Sequence, residues 1–416
     1  MDRATKTKRT QTFIATIIIC MLSGINYVWS LTSAALVTNH GWSSAQASLP
    51  YSLFTITASL LVLFGGRFID KRPPRQIVLL AGVCYIVGLV GAAFTMNIPG
   101  VFTVFYGVIL ACGTGCITAS SVGPTVKWFP YRKRGLVTGV CYTATGLTSL
   151  YMSPICNSLV STYGVKTTLL ALGISCGLMI LICHFFVHTP DVELVRQSEI
   201  EEAKAYKDAV PFEVKEYTWL EAVKTGRFWL IWLTFTALCL TGLMVISKVT
   251  AIAVLQGNWK GGYLLLVLNA IFSCAGRLAC GPLAVKIGFK RVWIIMLVVQ
   301  IINMACFKFY TTVPLLILGA AVGGICFGGI WSIAPSIISG EFGKKNCGVN
   351  FGILHTGYAV GGTVGPILAG YFVDTYGNYN GAYLLAIGFL VVGLISALCM
   401  KKDIGVPRPA DEATVQ

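Results

Sequence analysis

The sequence predicts an all-α membrane protein of twelve transmembrane helices arranged as two six-helix repeats. Three observations predict it. The 416 residues are 56% hydrophobic and only 11% charged, whereas soluble domains carry about 25% charged residues, which excludes a soluble enzyme. The segments 10–66, 76–126 and 309–340 contain no Asp, Glu, Lys or Arg, and a membrane-crossing helix needs about 20 mostly apolar residues. Lys and Arg gather in alternate connections: 3–9, 67–75, 127–134, 196–227, 286–291, 344–345 and from 401 onward. That alternation follows the positive-inside rule and predicts a multi-pass protein of the plasma membrane with both termini cytoplasmic. It also accounts for the formal net charge of +15 without a nucleic-acid partner. The lipid bilayer is the partner that composition implies.

Turn residues and charges place the spans in order. The first half holds 12–36, 47–68, 76–96, 100–124, 136–159 and 166–187; the second holds 228–255, 261–283, 292–310, 314–338, 347–372 and 381–400. The apolar run after Arg9 is too long for a signal-peptide core and reads as the first span. Residues 188–227 include Glu199, Glu201, Glu202, Lys204, Lys207 and Asp208 and read as a solvated linker with room for a short surface helix. The domains are therefore an N-terminal six-helix bundle (1–187), a cytoplasmic central loop (188–227), a C-terminal six-helix bundle (228–400) and a cytoplasmic tail (401–416). The 15 cysteines fall almost wholly inside apolar spans and form no CxxC pair, so they read as small hydrophobes.

The halves echo one another. Gly66-Arg-Phe-Ile-Asp70-Lys71 after span 2 returns as Gly281-Pro-Leu-Ala-Val285-Lys286 after span 8. Phe129, Gly135 and Gly139 return as Phe342, Gly348 and Gly352, each offset by 213. Two six-span repeats at a near-constant offset are the mark of a duplicated transporter.

With these motifs the chain resembles the major facilitator superfamily over essentially its whole length, which implies the major facilitator fold. The family signature Gly-x-x-x-Asp-Arg/Lys-x-Gly-x-Arg/Lys between spans 2 and 3 is matched by Gly66, Asp70, Lys71 and Arg75. Pro73 stands for the usual Gly, and Val285 replaces the acid in the second copy. The resemblance implies a cytoplasmic conformational latch of Gly66, Asp70, Lys71, Arg75 and Arg134, in which the acid meets helix ends and basic neighbours. The alternative is that these charges only set topology. Within the superfamily, Ser23-Gly24-Ile25-Asn26-Tyr27-Val28-Trp29-Ser30, Gly41-Trp42-Ser43, Lys127-Trp128-Phe129-Pro130 and Asn350-Phe351-Gly352 resemble the oxalate/formate antiporter family. That resemblance implies an anion-binding role for Arg277. Oxalate-carrying members add a Lys on span 11 where this chain has Tyr358, a departure that favours a monocarboxylate, or a dicarboxylate held by Arg277 with Lys248 or His355.

Charges inside a bilayer cost about 2.5–3.5 kcal/mol on insertion scales and therefore face a cavity or a partner. Only Lys248 and Arg277 lie well inside spans, and no Asp or Glu does. Fixed positive charge without an internal counter-ion calls for an anionic substrate. Helix rise places Arg277 about 13 Å above Lys286, His355 and Trp331 each about 15 Å above Lys345 and Glu341, and Tyr358 about 20 Å above Lys345. These four form one layer near mid-membrane. Arg277 offers a planar fork for a carboxylate, with Trp331 and Tyr358 shaping the pocket or simply packing helices. Lys248, in the outer half of span 7, snorkels outward, serves as a second cation for a dicarboxylate, or attracts anions at the outer mouth; Asn26 and Tyr27 lie at similar height on span 1. His355, with an unperturbed pKa near 6.5, is a proton carrier or a neutral packing residue.

No nucleophile–base pair, phosphate loop or metal cluster appears, so neither enzymatic activity nor a cofactor is expected. The expected function is secondary transport of a small organic anion by alternating access, with anion exchange favoured because no membrane carboxylate relays protons. Proton-coupled monocarboxylate transport through His355 and a non-transporting anion sensor are the alternatives. Each chain holds both repeats, so a monomer suffices to form a path.

Overall fold

A computed structural model describes residues 3–69, 73–120, 125, 128–129, 131–188, 193, 215–343 and 346–400. Every regular element among the described residues is helical. The helices, in chain order, are α1 (Arg3–Ser23), α2 (Trp29–His40), α3 (Leu49–Ile69), α4 (Pro74–Phe94), α5 (Pro99–Val104), α6 (Ala111–Ser120), α7 (Tyr131–Gly146) and α8 (Thr148–Cys183). After the central segment follow α9 (Trp219–Lys224), α10 (Gly226–Gly257), α11 (Tyr263–Ile287), α12 (Phe289–Phe307), α13 (Val313–Phe342), α14 (Cys347–Leu354), α15 (Thr356–Tyr376) and α16 (Asn380–Cys399).

Among the described residues, ten stretches are long and apolar enough to cross a membrane. One of them, Gly139–Phe186, is 48 residues long, about twice the length that a bilayer requires. Gly164, at φ 78° and ψ 173°, breaks it into two crossings, a conformation that only glycine adopts without strain. A further crossing, α14 with α15, is diluted by glycine and threonine and owes its place to packing. A Cβ on Gly361 would stand 2.7 Å from the Leu240 backbone nitrogen of α10, so the two helices touch backbone to backbone. All twelve expected spans are thus accounted for by helix.

The expected first span is two helices joined by a 3-10 turn at Gly24–Val28. The break is held from α8: Thr148 Oγ1 and Tyr151 Oη both donate to the Met21 carbonyl, at 2.5 and 2.8 Å. Span 11 breaks likewise at His355, between α14 and α15. Both interruptions fall where the two bundles face each other. Irregular backbone at membrane depth is tolerated where protein or a cavity covers it.

The tryptophans of the sequence motifs act as ties. Trp29 Nε1 donates to the Ala47 carbonyl at 3.1 Å, and Trp42 Nε1 to Met96 at 2.9 Å. Trp128 Nε1 donates to His188 at 3.0 Å, fixing the connection before α7 to the end of span 6. Glu341 is the buried penultimate residue of α13 and pairs with Arg227 at 2.5 Å.

Among the described residues, hydrogen bonds between the bundles gather at the end remote from the chain termini, here called the far end. Ser48 Oγ donates to Pro366 at 2.8 Å, Ser52 Oγ to Thr363 at 3.3 Å, and Thr250 Oγ1 to Ser30 at 2.8 Å. The region nearer the termini contains the main cavity.

Candidate functional site

Six of the seven residues singled out for substrate binding line one cavity of about 100 Å³: Asn26, Tyr27, Arg277, Trp331, His355 and Tyr358. The 3-10 turn of span 1 delivers Asn26 and Tyr27, α11 delivers Arg277, and α13 delivers Trp331. The break in span 11 supplies His355 and Tyr358. The remaining wall includes Ser23, Thr114, Thr118, Tyr142 and Thr145 of the N-terminal bundle, and none of its described residues is a carboxylate.

Arg277 is half-buried, and its Nη1 donates across the bundle interface to the Tyr142 carbonyl. Tyr142 lies near the end of α7, shortly before Leu147, where the helical pattern lapses for a single residue before α8. Its carbonyl holds the cation without supplying a counter-charge. Gly146, at the end of the same helix, makes the room: a Cβ there would stand 2.5 Å from Nη1. Arg277 Nε is buried and has no hydrogen-bond partner.

Three other buried polar atoms on this wall lack partners: Nδ2 and Oδ1 of Asn26 and Nε1 of Trp331. Buried polar groups are almost always paired, so a concentration of orphans on one wall calls for a missing partner. The Tyr27 hydroxyl interacts with Arg277 and with Tyr358. Opposite Arg277 stands an aromatic group. The Trp331 ring centre lies 5.6 Å from His355, 5.5 Å from Tyr358 and 6.2 Å from Phe327. His355 Nδ1 meets Ser59 Oγ of α3 at 3.1 Å, so it also bridges the bundles. A second, much smaller void shares Tyr27 and Arg277 as walls and adds Ser149, Asn269 and Ser273.

Lys248 is not brought to the cavity. It is 3% exposed, and its ammonium is bonded to Ser44 at the far end. For the expected latch, Asp70 and Lys71 lie outside the described residues. Gly66 falls in α3 and Arg134 in α7, both toward the termini, and Arg75 sits with its guanidinium carbon 5.3 Å from the Phe185 ring centre.

Sequence reasoning missed the hydroxyl wall of Ser23, Thr114, Thr118 and Thr145. Intramembrane Ser and Thr usually bond back to their own helix, as Thr118 does to the Thr114 carbonyl at 3.0 Å. The spacing of Thr114 and Thr118, one turn apart on one helix face, was the available signal.

A family model described as Major Facilitator Superfamily matches residues 12–302 and 245–415. The oxalate:formate antiporter of Oxalobacter formigenes is 24% identical over 378 residues, covering 89% of this chain and 86% of that protein. An uncharacterized MFS-type transporter of Escherichia coli is 26% identical over 353 residues, covering 84% and 85%. Among solved structures, a D-xylose-proton symporter superposes with a TM-score of 0.70 at 15% identity, covering 95% of this chain and 98% of that one.

Proposed function

The chain belongs to the Major Facilitator Superfamily, and on that basis we propose that it carries a small organic anion, a mono- or dicarboxylate, by alternating access. It is a membrane transport protein; the anion and the exchange mode are the added reading. One observation carries it. Arg277 faces a cavity with no carboxylate among its described lining residues, while its Nε lacks a partner. A guanidinium binds a carboxylate through two parallel charge-assisted bonds. The Trp331 indole and the Asn26 amide provide further donors, and the rings of Tyr27 and Tyr358 enclose the apolar part of the ligand. The name of the Oxalobacter relative, an oxalate:formate antiporter, adds support.

Exchange follows from the same charge arrangement. Reorientation moves the cavity, with Arg277, from one face to the other. A cation in a desolvated site is costly unless it is paired, so the loaded carrier crosses more readily than the empty one. With both termini in the cytoplasm, the ties at the far end and the extension of the cavity wall to Val62 and Thr118 support an inward-facing form. Proton-linked uptake is the second reading, favoured by the presence of His355 on the wall.

Counterflow in proteoliposomes tests the proposal. Vesicles loaded with unlabelled formate, oxalate or pyruvate should transiently accumulate the labelled anion. Binding without counterflow would indicate a sensor and reject transport.

A further inference from the structure

Lys248 lies inside α10 with its side chain directed at a connection of the other bundle. Nζ donates to the Ser44 carbonyl at 3.0 Å and to Ser44 Oγ at 3.3 Å. The same connection is held from α15, where the Asp374 carboxylate accepts the backbone N–H of Ser44 at 2.8 Å and of Ala45 at 2.7 Å. Asp374 is close enough to act on the Lys248 ammonium electrostatically. Two helices of the C-terminal bundle therefore grip adjacent residues between α2 and α3 and close the far end.

A buried ammonium needs acceptors, and here both come from Ser44. Opening of the far end draws the α2–α3 connection away from α10 and α15, and Lys248 then loses both acceptors. The exposed cation stands at the mouth of the path with a sign opposite to that of the cargo. We propose that Lys248 serves two partners in turn: Ser44 while the far end is closed, and the carboxylate of the incoming anion once it is open. Asp374 is a positioning residue that draws the connection back. This inference rests on the anion reading above and adds a second, sided contact to it.

The test compares KM from the two sides, in right-side-out and inverted vesicles, with labelled formate, oxalate and pyruvate as probes. Asp374→Asn loosens closure only, so far-side KM falls and termini-side KM rises as the closed population shrinks. Lys248→Met loosens closure as well but also removes the contact. Far-side KM should therefore rise about fivefold, the loss of one solvated ion pair, and Lys248→Arg should restore it. Lys248→Gln, which keeps a donor for Ser44, gives the same comparison if the Met variant fails to fold. A clamp without anion contact would move far-side KM downward in both Lys248→Met and Asp374→Asn, and that result overturns the proposal, as does an unchanged KM in Lys248→Met. Uptake of none of the three probes by the parent overturns the anion reading itself.

Discussion

Gly146→Ala is expected to weaken anion binding while sparing the fold. The new Cβ would stand 2.5 Å from Arg277 Nη1, 2.9 Å from Cζ and 3.2 Å from Nη2. Carbon contacts settle near 3.5–4.0 Å, so the guanidinium must retreat by roughly 1 Å. It can do so because it is the end of a flexible side chain, and the α7 backbone stays in place. The retreat takes Nη1 off the Tyr142 carbonyl and spoils one of the two parallel bonds that a carboxylate would receive. A hydrogen bond to a charged group contributes about 1.5–3 kcal/mol, which corresponds to a Kd increase of roughly 10- to 100-fold. Alanine is the better helix former by about 1 kcal/mol, so Tm should stay near that of the parent. Isothermal titration of the purified protein with a carboxylate that stabilises the parent measures the effect. A Kd within about twofold of the parent, well short of that loss, would refute the reasoning. So would a large fall in Tm, since the helix and not the arginine would then have moved.

Other substitutions separate the roles of the wall. Trp331→Phe keeps the ring contacts with His355 and Tyr358 but removes the unpartnered indole N–H. Carboxylate affinity should drop by roughly threefold to tenfold with Tm unchanged, whereas unaltered affinity would make the indole a packing group. Gly361→Val pushes against the Leu240 and Cys239 backbone, which cannot yield as a side chain can. A loss of about 1–3 kcal/mol, read as a lower Tm with or without ligand, is expected. His355→Gln should leave counterflow and its pH dependence intact under anion exchange; disappearance of pH-gradient-driven uptake would instead establish the proton-linked reading.

The fold was legible because a bilayer excludes charge, and charge-free runs of such length seldom occur outside a membrane. The boundary at Gly164 was legible too, since the expected spans 136–159 and 166–187 flank it. The 3-10 turn inside span 1 was not, and nothing around His355 marks the one-residue lapse in helical hydrogen bonding there. Such breaks depend on side chains from neighbouring helices, as where Thr148 and Tyr151 reach Met21. At the site, Arg277, Trp331, His355 and Tyr358 could be placed in one layer by helix rise alone. The partner of Arg277 could not be foreseen, since it is a backbone carbonyl at a helix end and carries no residue identity. Lys248 offered three readings, snorkelling, a second cation in the cavity or attraction of anions at the outer mouth, and none of them foresaw its bonds to Ser44. The sequence does hold one clue to its place: Lys248 and Asp374 are opposite charges at the same, far end of their spans.

The most direct measurement of the central claim is carboxylate-dependent stabilisation of the parent and of Arg277→Gln. A ligand that binds only the folded state raises Tm with its concentration. The account predicts that at least one of formate, acetate, lactate, pyruvate, oxalate, malonate and succinate stabilises the parent, and that Arg277→Gln abolishes the shift. An undiminished shift in Arg277→Gln would contradict it.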